Sequence, residues 1–185
     1  MTLPWENIIL AIISLIIFLV WQLTLPRLTL PFLKKYLSLS TLFRWSLDML
    51  VVVQILQIIR ISFPPTSFDI VFITCGLILS VVGADFAIYA KLIMHKNWGL
   101  PGQHDVKKQK QLVTSGPFGF SRNPIYVGLI MMFFGIELTL RSFLILLTIP
   151  LILYVRQTVK NEEQLLEKYF GQEYLHYKSR VPRFL

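Results

Sequence analysis

The sequence predicts an all-α integral membrane protein of about five transmembrane helices followed by a cytoplasmic C-terminal amphipathic helix. Three observations predict it. Apolar residues make up 55% of the 185-residue chain and charged residues only 15%. The apolar residues come in long blocks rather than on one face of each helix. Lys and Arg are confined almost wholly to alternate connecting segments. An α-helix rises about 1.5 Å per residue, so about 20 apolar residues cross a hydrocarbon layer about 30 Å thick.

The first block, Trp5–Leu25, carries one charge, Glu6, at its edge. A cleavable signal peptide is the rival reading, but a basic leader is lacking and Trp21-Gln22-Leu23-Thr24 offers no small-residue cleavage site, so a retained helix is expected. Four more blocks follow: Trp45–Phe63 with Asp48 near its start, Ile70–Ala90, Pro124–Leu140, and the short Ser142–Val155 with Pro150 inside it. Only Arg141 separates the last two, which predicts a tight helical hairpin. The single cysteine, Cys75, forms no intrachain disulfide and is expected to be a buried small hydrophobe.

Cytoplasmic loops carry the excess of Lys and Arg, so their distribution orients the chain. Arg27, Lys34, Lys35 and Arg44 precede the second block; Lys91, Lys96, Lys107, Lys108, Lys110 and Arg122 follow the third; Arg156, Lys160, Lys168, Lys178, Arg180 and Arg183 follow the fifth. Only Arg60 and Arg141 fall on the other side. This alternation predicts an odd number of spans, the N-terminus outside and the C-terminus in the cytoplasm. A net charge of +8 then reflects juxtamembrane cations beside anionic lipid, with no nucleic-acid partner required. The chain divides into residues 1–94, three helices with their loops, and residues 95–185, which hold the two polar stretches where a site would be built.

Those stretches are His95–Asn123 and Arg156–Leu185. In the first, Asn123 is placed as an N-cap and Pro124 as the first helical residue, so a positive helix end faces the interface and suits an anionic group. In the second, Leu165, Leu166, Tyr169 and Phe170 form the apolar stripe of an amphipathic helix that Gly171 stops, with Glu162 and Glu163 just before it. Each feature has an ordinary reading, a plain cap and a solvated acidic face. His95, His104 and His176 are scattered without metal-ligand spacing, and no metal site is expected. Asp85 is an unusual ionisable group inside the third block.

The combination is more specific than its parts. Gly116-Pro117-Phe118, then Arg122-Asn123-Pro124-Ile125-Tyr126-Val127-Gly128 opening a helical hairpin, then Glu162-Glu163, then Phe170-Gly171 through Arg180-Val181-Pro182, resembles the isoprenylcysteine carboxyl methyltransferase family and its phospholipid methyltransferase relatives. The resemblance runs from His95 to Pro182. It implies S-adenosylmethionine as cofactor without a Rossmann domain, and the chain has no G-x-G-x-x-G motif after a strand. It implies cofactor contacts at Gln103, at Lys110, Gln111, Leu112 and Val113, at Phe118, at Asn123, Pro124, Ile125 and Tyr126, and at Glu162 or Glu163. Arg156, with Arg122 second, is the candidate for orienting an acceptor carboxylate. Where the family usually has Arg-His-Pro this chain has Asn123, which forms hydrogen bonds but does not titrate. The implied activity is O-methylation of an isoprenylated cysteine or a similar lipophilic acceptor arriving from the bilayer. A phospholipid amine N-methyltransferase, an NADPH-dependent sterol-type reductase and a non-catalytic membrane scaffold are the alternatives.

Overall fold

The structure is a computed structural model that describes residues 3–23, 39–59, 61–94 and 111–185. Arg60, His95, Gln103, His104 and Lys110 lie outside the described residues. Among the described residues, six α-helices follow in order: α1 Trp5–Leu23, α2 Leu39–Ile55, α3 Asp69–Met94, α4 Pro124–Thr139, α5 Thr148–Phe170 and α6 Gln172–Arg180. Short 3-10 helices at Gly116–Gly119 and Phe143–Leu147 lead into α4 and α5. The described residues contain no strand beyond one isolated bridge between Ser62 and Ser142.

Among the described residues, three helical stretches are long and apolar enough to cross a bilayer: Trp5–Leu23, Asp69–Met94 and Phe143–Phe170. Helix α4 is apolar but has only 16 residues. Large apolar side chains such as Ile12, Leu15, Phe18, Ile78, Val82, Ile149 and Leu153 point outward, as the solvent of an integral membrane helical protein requires. Cys75 shares this outward position, which corrects the expectation of a buried thiol. Its neighbour Gly76 takes the inward one.

Three helices depart from their apolar blocks, the first being α2, which runs Leu39–Ile55 where Trp45–Phe63 was expected. The last block was expected to end near Val155, but α5 continues unbroken to Phe170, because no Gly or Pro interrupts it before Gly171. Pro150 sits in the first turn of α5, where its missing N–H has no intrahelical partner to lose. Helix α3 likewise runs past Ala90 to Met94 and draws Lys91 into the fold. Rather than anchoring in a loop, Lys91 is 1% exposed, with its ammonium 4.3 Å from the centroid of the Trp21 ring on α1.

The central packing is α3 against α4, antiparallel and backbone to backbone. Gly83 faces Gly128 and Gly76 faces Gly135; a Cβ on Gly128 would lie 2.6 Å from the Gly83 carbonyl, and one on Gly135 would lie 2.6 Å from that of Gly76. Small residues let helices approach closely where lipid provides no hydrophobic drive between them. Apolar clusters flank this seam: Leu10, Ile55 and Ile136 join α1, α2 and α4, and Ala90, Phe118 and Ile125 join α3, the first 3-10 helix and the start of α4.

The hairpin turn between α4 and α5 is centred on Arg141, whose φ of 52° lies in the left-handed region. The 61–63 segment secures it: Phe63 N–H donates to the Arg141 carbonyl at 2.7 Å and Phe143 N–H to the Ile61 carbonyl at 3.0 Å. Arg141 pairs with Asp69 at the start of α3. Beneath the turn, Ser142 donates to Gln54 at 2.8 Å, and Gln54 donates to the fully buried carboxylate of Glu137 at 3.4 Å. A cavity of about 420 Å³ lies beside this turn, between Phe63, Phe72, Leu138 and Ile145.

Candidate functional site

The opposite end of the α4–α5 pair is open, and chain continuity does not hold it. Helix α5 stops at Gly171, whose φ of 54° and ψ of −124° reverse the chain into α6. Lys178 on α6 reaches back to Glu167 on α5 at 2.8 Å. Tyr177 donates its hydroxyl to the Phe118 carbonyl at 2.7 Å, seating α6 on the 3-10 helix that precedes α4. Burial pushes this hydroxyl well above the usual phenol range, so it remains a donor.

After α6 the backbone becomes extended at Val181 and crosses the start of α4. The Pro182 carbonyl accepts from Arg122 N–H at 2.9 Å, and the Arg183 carbonyl accepts from the Asn123 side-chain amide at 3.1 Å. The Arg122 guanidinium donates to the carbonyls of Lys178 at 2.9 Å and Val181 at 3.0 Å, and to Glu163 through Nε at 3.0 Å. Arg183 donates to the same carboxylate through Nε at 3.0 Å and a terminal nitrogen at 2.8 Å. Those bonds hold the Arg183 guanidinium above its ordinary pKa. Asn123 adds a bond to Glu163 at 3.3 Å. Glu163 thus accepts from three side chains and is almost wholly buried.

The Glu pair therefore divides. Glu163 faces inward into this clasp. Glu162, about 100° further round the helix, faces the outer side of α4 and accepts from the Tyr126 hydroxyl at 3.0 Å. Asn123 occupies the N-cap position of α4, but its side chain caps nothing, contrary to the expectation from sequence. Its amide bonds to Glu163 and Arg183 instead, and the positive end of α4 carries no side-chain cap.

Of the other residues singled out in the sequence, Pro124, Ile125 and Phe118 are buried, the last two in one cluster with Ala90. Val113 packs against that cluster, Leu112 is half-buried and Gln111 is exposed. Arg156 is exposed on α5, while the Arg122 side chain is buried and committed to the clasp. Asp85 and His176 are exposed. Among the described residues, no group of three His, Cys, Asp or Glu side chains is arranged to hold a metal. The sequence reading missed Arg183, Ser121 and the buried tyrosines Tyr174 and Tyr177. Their signal was present only as the Tyr-x-x-Tyr spacing of α6 and the Val-Pro pair after it.

Comparison with known proteins bears on the same region. The profile of the phospholipid methyltransferase family matches residues 71–173, more than half of the chain. The match takes in nearly all of α3, which the sequence reading had grouped with the N-terminal helices, as well as α4 and α5. Protein-S-isoprenylcysteine O-methyltransferase of Homo sapiens is 31% identical over 109 residues, covering 58% of this chain and 38% of that protein. The protein of that name from Schizosaccharomyces pombe is 34% identical over 77 residues, 40% of this chain and 33% of its own. The one from Saccharomyces cerevisiae is 30% identical over 112 residues, 57% of this chain and 45% of its own. The matched region thus spans less than half the length of each of these relatives. No solved structure matches. With the profile covering the α3–α4 seam, the Glu pair, and Arg122 and Asn123 of the clasp, the chain belongs to the phospholipid methyltransferase family.

Proposed function

We propose that the chain is an S-adenosylmethionine-dependent membrane methyltransferase that O-methylates the carboxylate of an isoprenylated cysteine or a similar lipophilic acceptor. The observation that carries this reading is the pairing of Tyr126 with Glu162 at the uncapped start of α4. The donor set fits the amino-acid end of the cofactor: the Glu162 carboxylate for its ammonium, and the positive start of α4 for its carboxylate. The Tyr126 ring offers a face for the sulfonium. Phe118 and Ile125, being buried, serve as the floor beneath these groups, and Gln103, Lys110, Gln111, Leu112 and Val113 complete the site in this reading. Glu163 supports the site without touching the cofactor.

When bound, the cofactor supplies an electrophilic methyl group. The chain's own residues then have a limited task. A carboxylate acceptor is already ionised at neutral pH, whereas an amine must first lose a proton at a cost of about 4 kcal/mol. A carboxylate acceptor thus asks for proximity, alignment and exclusion of water rather than for a general base. That suits a site where the family's usual histidine is Asn123 and its amide is engaged in the clasp. Arg156 is the group we assign to orient the acceptor carboxylate, since Arg122 is held by Glu163 and two backbone carbonyls. We place both polar stretches in the cytoplasm with five spans and the N-terminus outside, treat residues 95–185 as the cofactor-binding part, and expect the acceptor to enter from the bilayer.

The test is calorimetric titration of detergent-solubilised protein with S-adenosylhomocysteine and with NADPH. It is paired with labelled-methyl transfer to farnesylcysteine analogues beside a total lipid extract. S-adenosylhomocysteine should bind, and Glu162→Gln should weaken it by about tenfold or more, as expected for loss of one charge-assisted bond of about 1.5–3 kcal/mol. Binding of NADPH alone would assign the chain to reductase chemistry. Methyl transfer only to the lipid extract would move the acceptor to a phospholipid amine, the second reading that the family profile favours.

A further inference from the structure

We propose that Arg183, through the extended strap Val181–Arg183, is a positioning residue for the cofactor end of the site. This rests on the functional reading above and concerns residues to which that reading gives no role.

Three consecutive strap carbonyls engage three consecutive residues before α4. The Val181 carbonyl accepts from the Arg122 side chain at 3.0 Å, and the Pro182 carbonyl accepts from Arg122 N–H at 2.9 Å. The Arg183 carbonyl accepts from Asn123 at 3.1 Å and from Ser121 Oγ at 3.3 Å. The Arg183 side chain then leaves the strap and grips Glu163 on α5 with two nitrogens, at 3.0 and 2.8 Å. A closed circuit results: the start of α4, the strap, Arg183, Glu163 and back through Arg122. Its members flank both halves of the Tyr126–Glu162 pair, Asn123 lying one turn before Tyr126 and Glu163 directly after Glu162.

The circuit fixes how far α5 is rotated about its axis. Neighbouring helix positions differ by about 100°, so locking the direction of Glu163 also sets the direction of Glu162. Without Arg183, Glu163 would keep Arg122 and Asn123, and the two helices would stay joined. What would be lost is the second, opposed grip on the carboxylate and the anchor of the strap. Arg183 is part-exposed at the rim while Glu163 is buried. Loss of Arg183 should therefore show in site geometry more than in folding, and catalytic or binding groups tolerate displacements of only about 0.5 Å.

The experiment is a double-mutant cycle on detergent-solubilised full-length protein, reading the Kd for S-adenosylhomocysteine and the KM for a farnesylcysteine analogue. Arg183→Ala is expected to raise the Kd about tenfold while leaving the acceptor KM within about twofold, and Arg183→Lys, which keeps the charge but loses the two-nitrogen grip, to recover only part of the affinity. In a Glu162→Gln background, Arg183→Ala should change the Kd less than about twofold, because the group it positions is gone. An unchanged Kd in Arg183→Ala overturns the proposal, as does an equal rise in Kd in both backgrounds, the mark of a general structural effect. Should Arg183→Ala not fold, Ser121→Ala removes one bond to the strap, together with the bond that Ser121 Oγ accepts from Asn123 N–H, and must show the same separation of Kd from KM on a smaller scale. A wild-type protein that binds no S-adenosylhomocysteine overturns the functional reading and this inference with it, an outcome distinct from the failure of Arg183 alone.

Discussion

The two ends of the α4–α5 hairpin are joined by different means. At the turn, Ile136 to Ile145 is continuous chain, so polypeptide connectivity already keeps the helices together. The ion pair added there is peripheral: the Asp69 and Arg141 side chains are 24% and 26% exposed. At the open end nothing covalent spans the gap. There the clasp is central, with Glu163 4% and Arg122 8% exposed. Ionic groups are buried where the backbone cannot do the joining, and each charge is matched because an unmatched one would be costly. The buried Glu137 near the turn is the contrasting case: Gln54 approaches one oxygen at 3.4 Å, and the other has no partner among the described residues. The clasped end is also where the Tyr126–Glu162 pair lies, so the site proposed there would borrow the rigidity of this joint.

This contrast can be tested by breaking each joint. The largest loss is expected from Glu163→Ala, which strands two cations in the open end. Removal of one partner from a buried pair costs about 3–5 kcal/mol, readable as a fall in the thermal midpoint of the solubilised protein. A midpoint shift no larger than that of a surface variant would show that the clasp does not carry the open end. Next comes Gly128→Leu in the seam beneath both ends. A Cβ there already meets Ala87 N and the Gly83 carbonyl at 2.6 Å, so α3 and α4 must move apart, and about 1–3 kcal/mol of overpacking is expected. Intact stability in that variant would mean that the glycine contact is incidental. The smallest effect belongs to Arg141→Ala at the turn: a shallower drop than Gly128→Leu, and one that vanishes in high salt because the pair is solvent-screened. A loss rivalling that of Glu163→Ala would erase the distinction between the two ends.

The sequence carried the membrane helices, the hairpin at Arg141, the helix start at Pro124 and the stop at Gly171, because each follows from local physics. Block length measures against bilayer thickness, and Pro and Gly act through their own backbone dihedrals. Motif order was enough to bring Tyr126 and the Glu pair into one candidate site. Other features depended on partners distant in sequence. Whether Lys91 sits in a loop or over Trp21 depends on how α3 lies against α1. Whether Asn123 caps its helix depends on a carbonyl 60 residues away. The seven-residue spacing of Gly76 and Gly83, and of Gly128 and Gly135, was visible in the sequence but became a seam only once α3 and α4 were paired.

By itself, then, the sequence determined that the chain is built of apolar helices fit for a membrane, where α4 begins and α5 stops, and which residue types gather at the polar ends. Only the tertiary structure decided which carboxylate of Glu162 and Glu163 is committed to the fold and which faces Tyr126. The reason is geometric. Adjacent positions on a helix point about 100° apart, and which of the two directions faces inward is set by what packs there, here Arg122 from before α4 and Arg183 from the C-terminal strap.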